Sequence, residues 1–197
     1  AVIINLNRRE MIRKVGMVFQ DPESQMVMTN VEQELAFGLE NLELSNGLMK
    51  RRIMEVTSAL SINEYRDHFI PELSGGQKQK IALASVLSMQ PDILLLDEPT
   101  SQLDPIAGEE ILTIVRRLNE ENGITIVLTE QKLERCFHFA DRIIIMDQGE
   151  IIKDSCDVSS IANWIVENNM SFIPPVSKVF ANIGFQNVQV TVKQGRD

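Results

Sequence analysis

Three short, nearly continuous apolar runs punctuate the chain: Val15–Gln20, which ends on a polar residue, Leu94–Leu96 and Ile124–Leu128. Runs of this kind, without strict alternation, predict parallel strands buried on both faces. Between them the apolar positions recur every three or four residues. Val31, Leu35 and Leu39 predict a helix over 31–39. Leu48, Met49, Ile53, Val56 and Leu60 predict one over 48–60, and Ile81, Ala84 and Leu87 one over 77–89. Ile111, Leu112, Val115 and Leu118 predict a helix over 106–121. Strand, helix and strand from Leu94 to Leu128 form a βαβ unit with a right-handed crossover.

The boundaries carry their own signals. Ser74 and Gln77 form a capping box, with Gly75 and Gly76 between them leaving the helix start bare of side chains. Asp104 is an N-cap with Pro105 in the first helical position, and Asn122-Gly123 closes that helix. Asp21-Pro22-Glu23-Ser24 reads as a turn, and Ser45-Asn46-Gly47 as a loop. Weak alternation makes Val2–Leu6 a candidate edge strand, and Arg8–Lys14 a basic helix. Asn63–Phe69 is a short segment leading to Pro71. Residues 29–72 then form a small helical insert between two strand-bearing parts. Downstream, Glu130–Phe139 reads as a helix, and residues 142–146 and 149–153 as a hairpin around Asp147-Gln148. From Cys156 the pattern changes. One helix is expected around Ile161, Ile165 and Val166, another over 176–183 after Pro174-Pro175, and a strand over 188–192. The chain therefore divides into residues 1–155 and an extension, 156–197. That extension is too small to fold alone, and its apolar faces need a partner surface.

Composition narrows the function. The 197 residues are 44% hydrophobic and 24% charged, an ordinary globular balance with length enough for a real core. A net charge of −9 argues against a nucleic-acid surface. No apolar run is long enough to cross a bilayer, and Ala1-Val2-Ile3 carries no charged leader. Cys136 and Cys156 stand far apart without ligand companions and read as reduced thiols.

The candidate chemistry lies where the central run ends, at Leu96-Asp97-Glu98-Pro99-Thr100. The C-terminal end of a parallel strand is where open α/β sheets hold ligands. Asp97 is placed to hold a metal through water, and Glu98 to orient an attacking water.

Leu73-Ser74-Gly75-Gly76-Gln77 resembles the signature motif of ATP-binding-cassette (ABC) ATPases, and Leu94–Pro99 resembles their Walker B strand with its catalytic glutamate. Gln20, about 50 residues upstream of the signature, stands at the Q-loop glutamine, and Ser101-Gln102-Leu103-Asp104 resembles the D-loop. The resemblance implies a P-loop NTPase-type α/β fold, with a mostly parallel sheet and a small helical subdomain. It implies ATP and Mg²⁺ as ligands. The sites are composite, two subunits facing head to tail, so a second ABC ATPase subunit is implied, identical or different. Ser74, Gly75, Gly76 and Gln77 then meet the γ-phosphate of ATP held by that partner, and Asp104 crosses the interface. Asp97 holds Mg²⁺, Gln20 touches metal and water, and Glu98 polarises the water.

Two departures stand out. No GxxxxGK[ST] occurs anywhere in the chain, and only 19 residues precede Gln20, fewer than the family's phosphate loop needs. A cassette lacking its N-terminal part is the expectation, whether by truncation, a missing stretch or degeneration. Where the family has a switch histidine, Gln131 stands; His138 and His68 read as packing or surface residues.

Gln20–Gln25, followed by Val31–Leu42, resembles the energizing ATPases of energy-coupling-factor (ECF) importers, which take up vitamins or cobalt and nickel ions. Pro174-Pro175 fits their C-terminal extension, which helps pair the two ATPases. The expectation is an ATPase subunit on the cytoplasmic side of the membrane, bound to a transmembrane coupling subunit in a groove near Gln20, Phe37 and Leu39. A partner subunit that completes another's site without hydrolysing ATP is the alternative. A soluble, non-transport ABC protein fits less well, because the insert lacks sustained heptads and the chain is acidic.

Overall fold

In the computed structural model, residues 7–131, 135–168 and 170 are described. They fall into two compact units, one running to Glu130 and one starting at Gln131. The expected strand over 2–6, the helix over 176–183 and the strand over 188–192 lie outside the described residues.

The first unit is built on a three-stranded parallel sheet, ordered β1 (Val15–Val18), β2 (Ile93–Asp97), β3 (Thr125–Thr129). Met17 pairs with Leu95 and Leu95 with Val127, while Asp97 pairs with Thr129. Gly16, Val18, Leu94 and Leu96 are buried on one face, whereas Met17 and Val127 on the other are exposed, so the strands are not buried on both faces as expected, and β1 ends at Val18 rather than Gln20. A Cβ on Gly16 would lie 2.2 Å from Cγ1 of Val86, so glycine lets helix α5 (Gly75–Ser88) lie close against β1. The crossover between β2 and β3 is α6 (Pro105–Asn122), started by Asp104 and ended by Gly123 at φ +68°, as the sequence predicts. Its buried face is Ile111, Leu112, Ile114, Val115 and Leu118. Each such side chain contributes about 1.5–3 kcal/mol when removed from water.

The helical insert holds α3 (Val31–Asn41) and α4 (Asn46–Ala59), followed by two single 3₁₀ turns at Asn63–Tyr65 and Ile70–Glu72. The expected loop at Ser45–Gly47 is the start of α4, with Ser45 as N-cap. The expected turn at residues 21–24 is a four-residue helix, α2 (Pro22–Gln25). Asp followed by Pro starts a helix as readily as a turn. The basic helix α1 (Arg8–Lys14) is present, capped by Asn7 and Glu10.

In the second unit, β4 (Ile143–Asp147) and β5 (Glu150–Ser155) form the expected hairpin. Its turn residues are Gln148 and Gly149, at φ +48° and +85°, one position on from Asp147-Gln148. Helix α7 (Val158–Glu167) is the helix expected around Ile161 and Ile165. Ile161, Ala162, Ile165, Ile145 and Phe137 form its core. Glu130 and Gln131 are not helical, and residues 135–139 are mostly turns, unlike the helix expected there. Cys136 and Phe137 are anchored by burial rather than by a helical period.

Candidate nucleotide site

The sheet's C-terminal edge gathers Asp97 and Glu98 from β2, Gln20 from the residues after β1, and Thr129 from β3. Parallel register places these ends side by side, which is why residues 78 positions apart can meet. Gln20 Nε2 donates to Glu98 Oε2 at 3.1 Å. The Thr129 hydroxyl donates to Asp97 Oδ1 at 2.8 Å and accepts from the Glu98 N–H at 2.9 Å. The Glu98 N–H also donates to the Thr129 carbonyl at 3.2 Å. The Glu98 backbone is left-handed, φ +44°, although the residue is neither Gly nor Asn and precedes proline. Strain of this kind is held only where surrounding bonds over-determine it. Here the two bonds to Thr129 and the Ser101 hydroxyl, which donates to the Glu98 carbonyl at 2.9 Å, do so. Thr100 is fully buried and its hydroxyl donates to Glu130.

The start of α5 is an anion cradle. Ser74 N–H donates to Gln77 Oε1 at 2.7 Å, and Gln77 N–H to Ser74 Oγ at 3.3 Å, which is the expected capping box. That reciprocal pair satisfies two amides, leaving those of Gly75 and Gly76 at the positive end of the helix dipole. The two glycines have different causes. A Cβ on Gly76 would lie 3.1 Å from the Ala107 Cβ, so its smallness serves the packing of α5 on α6. A Cβ on Gly75 would meet only Leu103, at 3.8 Å, an ordinary contact. Nothing within the described chain requires glycine there, and the position is exposed. A bare, exposed first turn suits close approach by a phosphate from outside. Asp104, at the start of α6, accepts from the Ile106 and Ala107 amides through one carboxylate oxygen.

For Mg²⁺ the deciding quantity is donor number. Among the described residues no group of three or more His, Cys, Asp or Glu side chains could cage a metal. Mg²⁺ bound with nucleotide needs only one or two protein oxygens, the rest being phosphate and water. Asp97, exposed at the strand end, and the Gln20 amide fit that demand.

Gln131 is exposed, in a bend at the start of the second unit. His138 is exposed and stacks edge-on against Phe139, and His68 is exposed against Tyr65. Thr129 and Thr100 bond to the carboxylate-bearing edge and its neighbour Glu130, contacts that the sequence alone did not point to. A hydroxyl ending an apolar strand was the available signal for Thr129.

The parallel sheet with its flanking helices matches the P-loop NTPase type of α/β fold, as the solved structures described below bear out. Residues 3–101 match the family described as ABC transporter. The chain belongs to the ABC transporter family. An ABC transporter ATP-binding protein of Bacillus anthracis is 45% identical over 185 residues, covering 93% of this chain and 34% of that protein. One from Pyrococcus horikoshii is 45% identical over 156 residues, covering 77% of this chain and 55% of its own length. The chain thus spans between about a third and just over half of these relatives. Among solved structures, CbiO1 of Clostridium perfringens, part of the ABC transporter complex CbiONQ, matches with a TM-score of 0.74. It is 28% identical, and the match covers 92% of this chain and 73% of that one. The ATP-binding cassette MJ0796, solved as a dimer bound to ADP and phosphate, matches with a TM-score of 0.65 at 28% identity, covering 77% and 68%.

Proposed function

We propose that the chain is part of an ATPase subunit that powers a membrane importer of the ECF type. The observation that carries it is the bond from Gln20 to Glu98 beside Asp97, at the end of a strand whose crossover helix starts with the D-loop aspartate. Glu98 orients the attacking water and takes its proton, Gln20 holds that water from the other side, and Asp97 holds Mg²⁺. Bound Mg²⁺ neutralises charge developing on the phosphates. Ser74, Gly75, Gly76 and Gln77 accept the γ-phosphate of ATP bound by a second cassette, and Asp104 faces that cassette. The dimer and the ADP and phosphate of MJ0796 support this composite arrangement. Residues 1–155 belong to the cassette and 156–197 to a pairing extension.

The membrane partner has a candidate seat. A groove of about 450 Å³ is lined by Ile12, Val15, Met17 and Phe19 on one side and Val27 and Phe37 on the other. Leu39, expected at this surface, is fully buried in the hydrophobic core instead. The apolar walls suit an amphipathic coupling helix from a transmembrane subunit. The complex CbiONQ around CbiO1 supports this, and peripheral attachment follows from it. Among the described residues no helix is long and apolar enough to cross a membrane.

A second reading, a cassette that contributes to a partner's site while its own turns over slowly, is favoured by Gln131. Glutamine can donate a hydrogen bond where a switch histidine stands, but it cannot carry a proton. The test is ATP turnover by the full-length protein assembled with its second cassette. The main reading expects Glu98→Gln to lower turnover by about 100-fold or more, the scale of losing a group that acts only in the transition state. The second expects a small effect from Glu98→Gln, a larger one from the equivalent change in the partner, and faster turnover from Gln131→His. No turnover by the assembled wild type would overturn both.

A further inference from the structure

The ten residues from Phe19 to Met28 link Gln20 to the helical insert, and their ends are held by two side chains. Phe19 N–H donates to Gln25 Oε1 at 2.9 Å, closing the loop on itself at the residue before Gln20. At the far end, Val27 and Met28 both donate to Oε2 of Glu34, at 3.0 and 2.8 Å. Glu34 lies on α3 and is only 4% exposed. A carboxylate that deep must be compensated, and two charge-assisted bonds from backbone amides do so. Between these clamps, Asp21 caps α2, and Glu23 pairs with Lys78 on α5. The side chain of Gln20 itself is fixed by one bond, to Glu98. Its position is therefore set by the anchoring of its neighbours. Gln25 and Glu34 also line the 450 Å³ groove.

We propose that Glu34 and Gln25 are positioning residues that hold Gln20 within reach of Glu98. The proposal rests on the ATPase reading above. Both anchors rest on α5: α3, which carries Glu34, packs on it, and α2, which carries Gln25, packs on it and is tied to it by the Glu23–Lys78 pair.

A merely structural cap would affect stability and the two amides it touches, and nothing further. The test uses the full-length protein assembled with its second cassette and three variants, Glu34→Ala, Glu34→Gln and Gln25→Ala. Misplacing a catalytic group by about 1 Å costs up to about 100-fold in rate. Expected for Glu34→Ala and Gln25→Ala is a fall of about 10-fold or more in kcat for ATP, with KM within about 2-fold. Glu34→Gln keeps an acceptor oxygen and recovers at least half of the lost activity. Hydrogen exchange supplies a readout that needs no turnover: in Glu34→Ala the Phe19 amide exchanges faster, along with those of Val27 and Met28. If Glu34→Ala does not fold, Gln25→Ala and Glu34→Gln carry the kinetic comparison, and wild-type kcat in Gln25→Ala overturns the proposal. Exchange changed only at Val27 and Met28 overturns it too. An assembled wild type that hydrolyses no ATP brings down the ATPase reading, whereas intact turnover in wild type and variants alike brings down only this one.

Discussion

Thr129 joins the two acidic residues at the sheet edge through one hydroxyl. It donates to Asp97 and accepts from the amide that holds Glu98 at φ +44°. Replacing it with Val removes both bonds and keeps the shape. The expected cost is about 1 kcal/mol of stability, read by denaturant unfolding. Turnover of the full-length protein should fall about 10-fold, with Thr129→Ser close to wild type. A Thr129→Val enzyme with unchanged rate would mean that the strained backbone at Glu98 needs no support. Local grammar pointed to Asp97 and Glu98, because an apolar strand ending in carboxylates is a local pattern. The role of Thr129 was not legible, because it depends on which residue of β3 stands opposite Asp97. That register is settled by packing across the sheet. Gln25 and Glu34 lie in stretches that carry the family resemblance, but their contacts were not legible, because each accepts from backbone amides several residues away.

At the scale of elements, the helix ends were the most readable features. Ser74 with Gln77, and Asp104 with Pro105 and Gly123, fell where capping chemistry placed them. Segments whose position comes from tertiary burial were not. Residues 135–139 lack a helix although their apolar content suggests one, since Cys136 and Phe137 are fixed by burial instead. The two glycines of the α5 cradle make a paired prediction. Gly76→Val should lower stability by about 1–3 kcal/mol, because the added groups meet Ala107 on α6, whereas Gly75→Ala should leave the melting temperature unchanged. Equal effects at both positions would mean that one cause, not two, keeps both residues small. The hairpin offers a pH test. The Arg142 guanidinium donates to both oxygens of Asp154, at 2.7 and 2.5 Å, and holds that carboxyl below its ordinary value of 3.8. A lowered carboxyl favours the folded hairpin fully above the ordinary value and loses that contribution as pH falls through the folded one. Amide chemical shifts of β4 and β5 followed from pH 6 towards 2 should show an acid-dependent loosening that Asp154→Asn abolishes. The same acid midpoint in the variant would assign the loosening elsewhere.

For the whole molecule, labour is divided between what the chain holds and what faces it. No phosphate loop occurs in these 197 residues, and their net charge is −9. The Lys and backbone cradle that grip nucleotide phosphates are absent from the segment. The 197 residues alone should therefore bind ATP with a dissociation constant weaker than micromolar, which titration calorimetry checks. At the groove, Arg13→Glu and Val27→Asp place new negative charge at exposed lining positions. Both should abolish pull-down of the membrane subunit while leaving the fold intact by circular dichroism, and retained pull-down would show that the subunit docks elsewhere.

The most direct test of the central claim is at Gly75, where stability and function should part company. The claim is that the first turn of α5 receives a phosphate carried by a second cassette. Gly75→Asp puts a carboxylate at the first helical position, exposed and free of clash. An acid there favours the helix dipole, so the melting temperature should hold or rise. Against a phosphate about 4 Å away the same charge is repelled by about 4 kcal/mol at an effective dielectric of about 20. The measurement is ATP turnover of the full-length Gly75→Asp protein assembled with its second cassette. The predicted result is a fall of at least about 100-fold with an unchanged or higher melting temperature, and Gly75→Ala much less affected. Wild-type turnover in Gly75→Asp would contradict the claim.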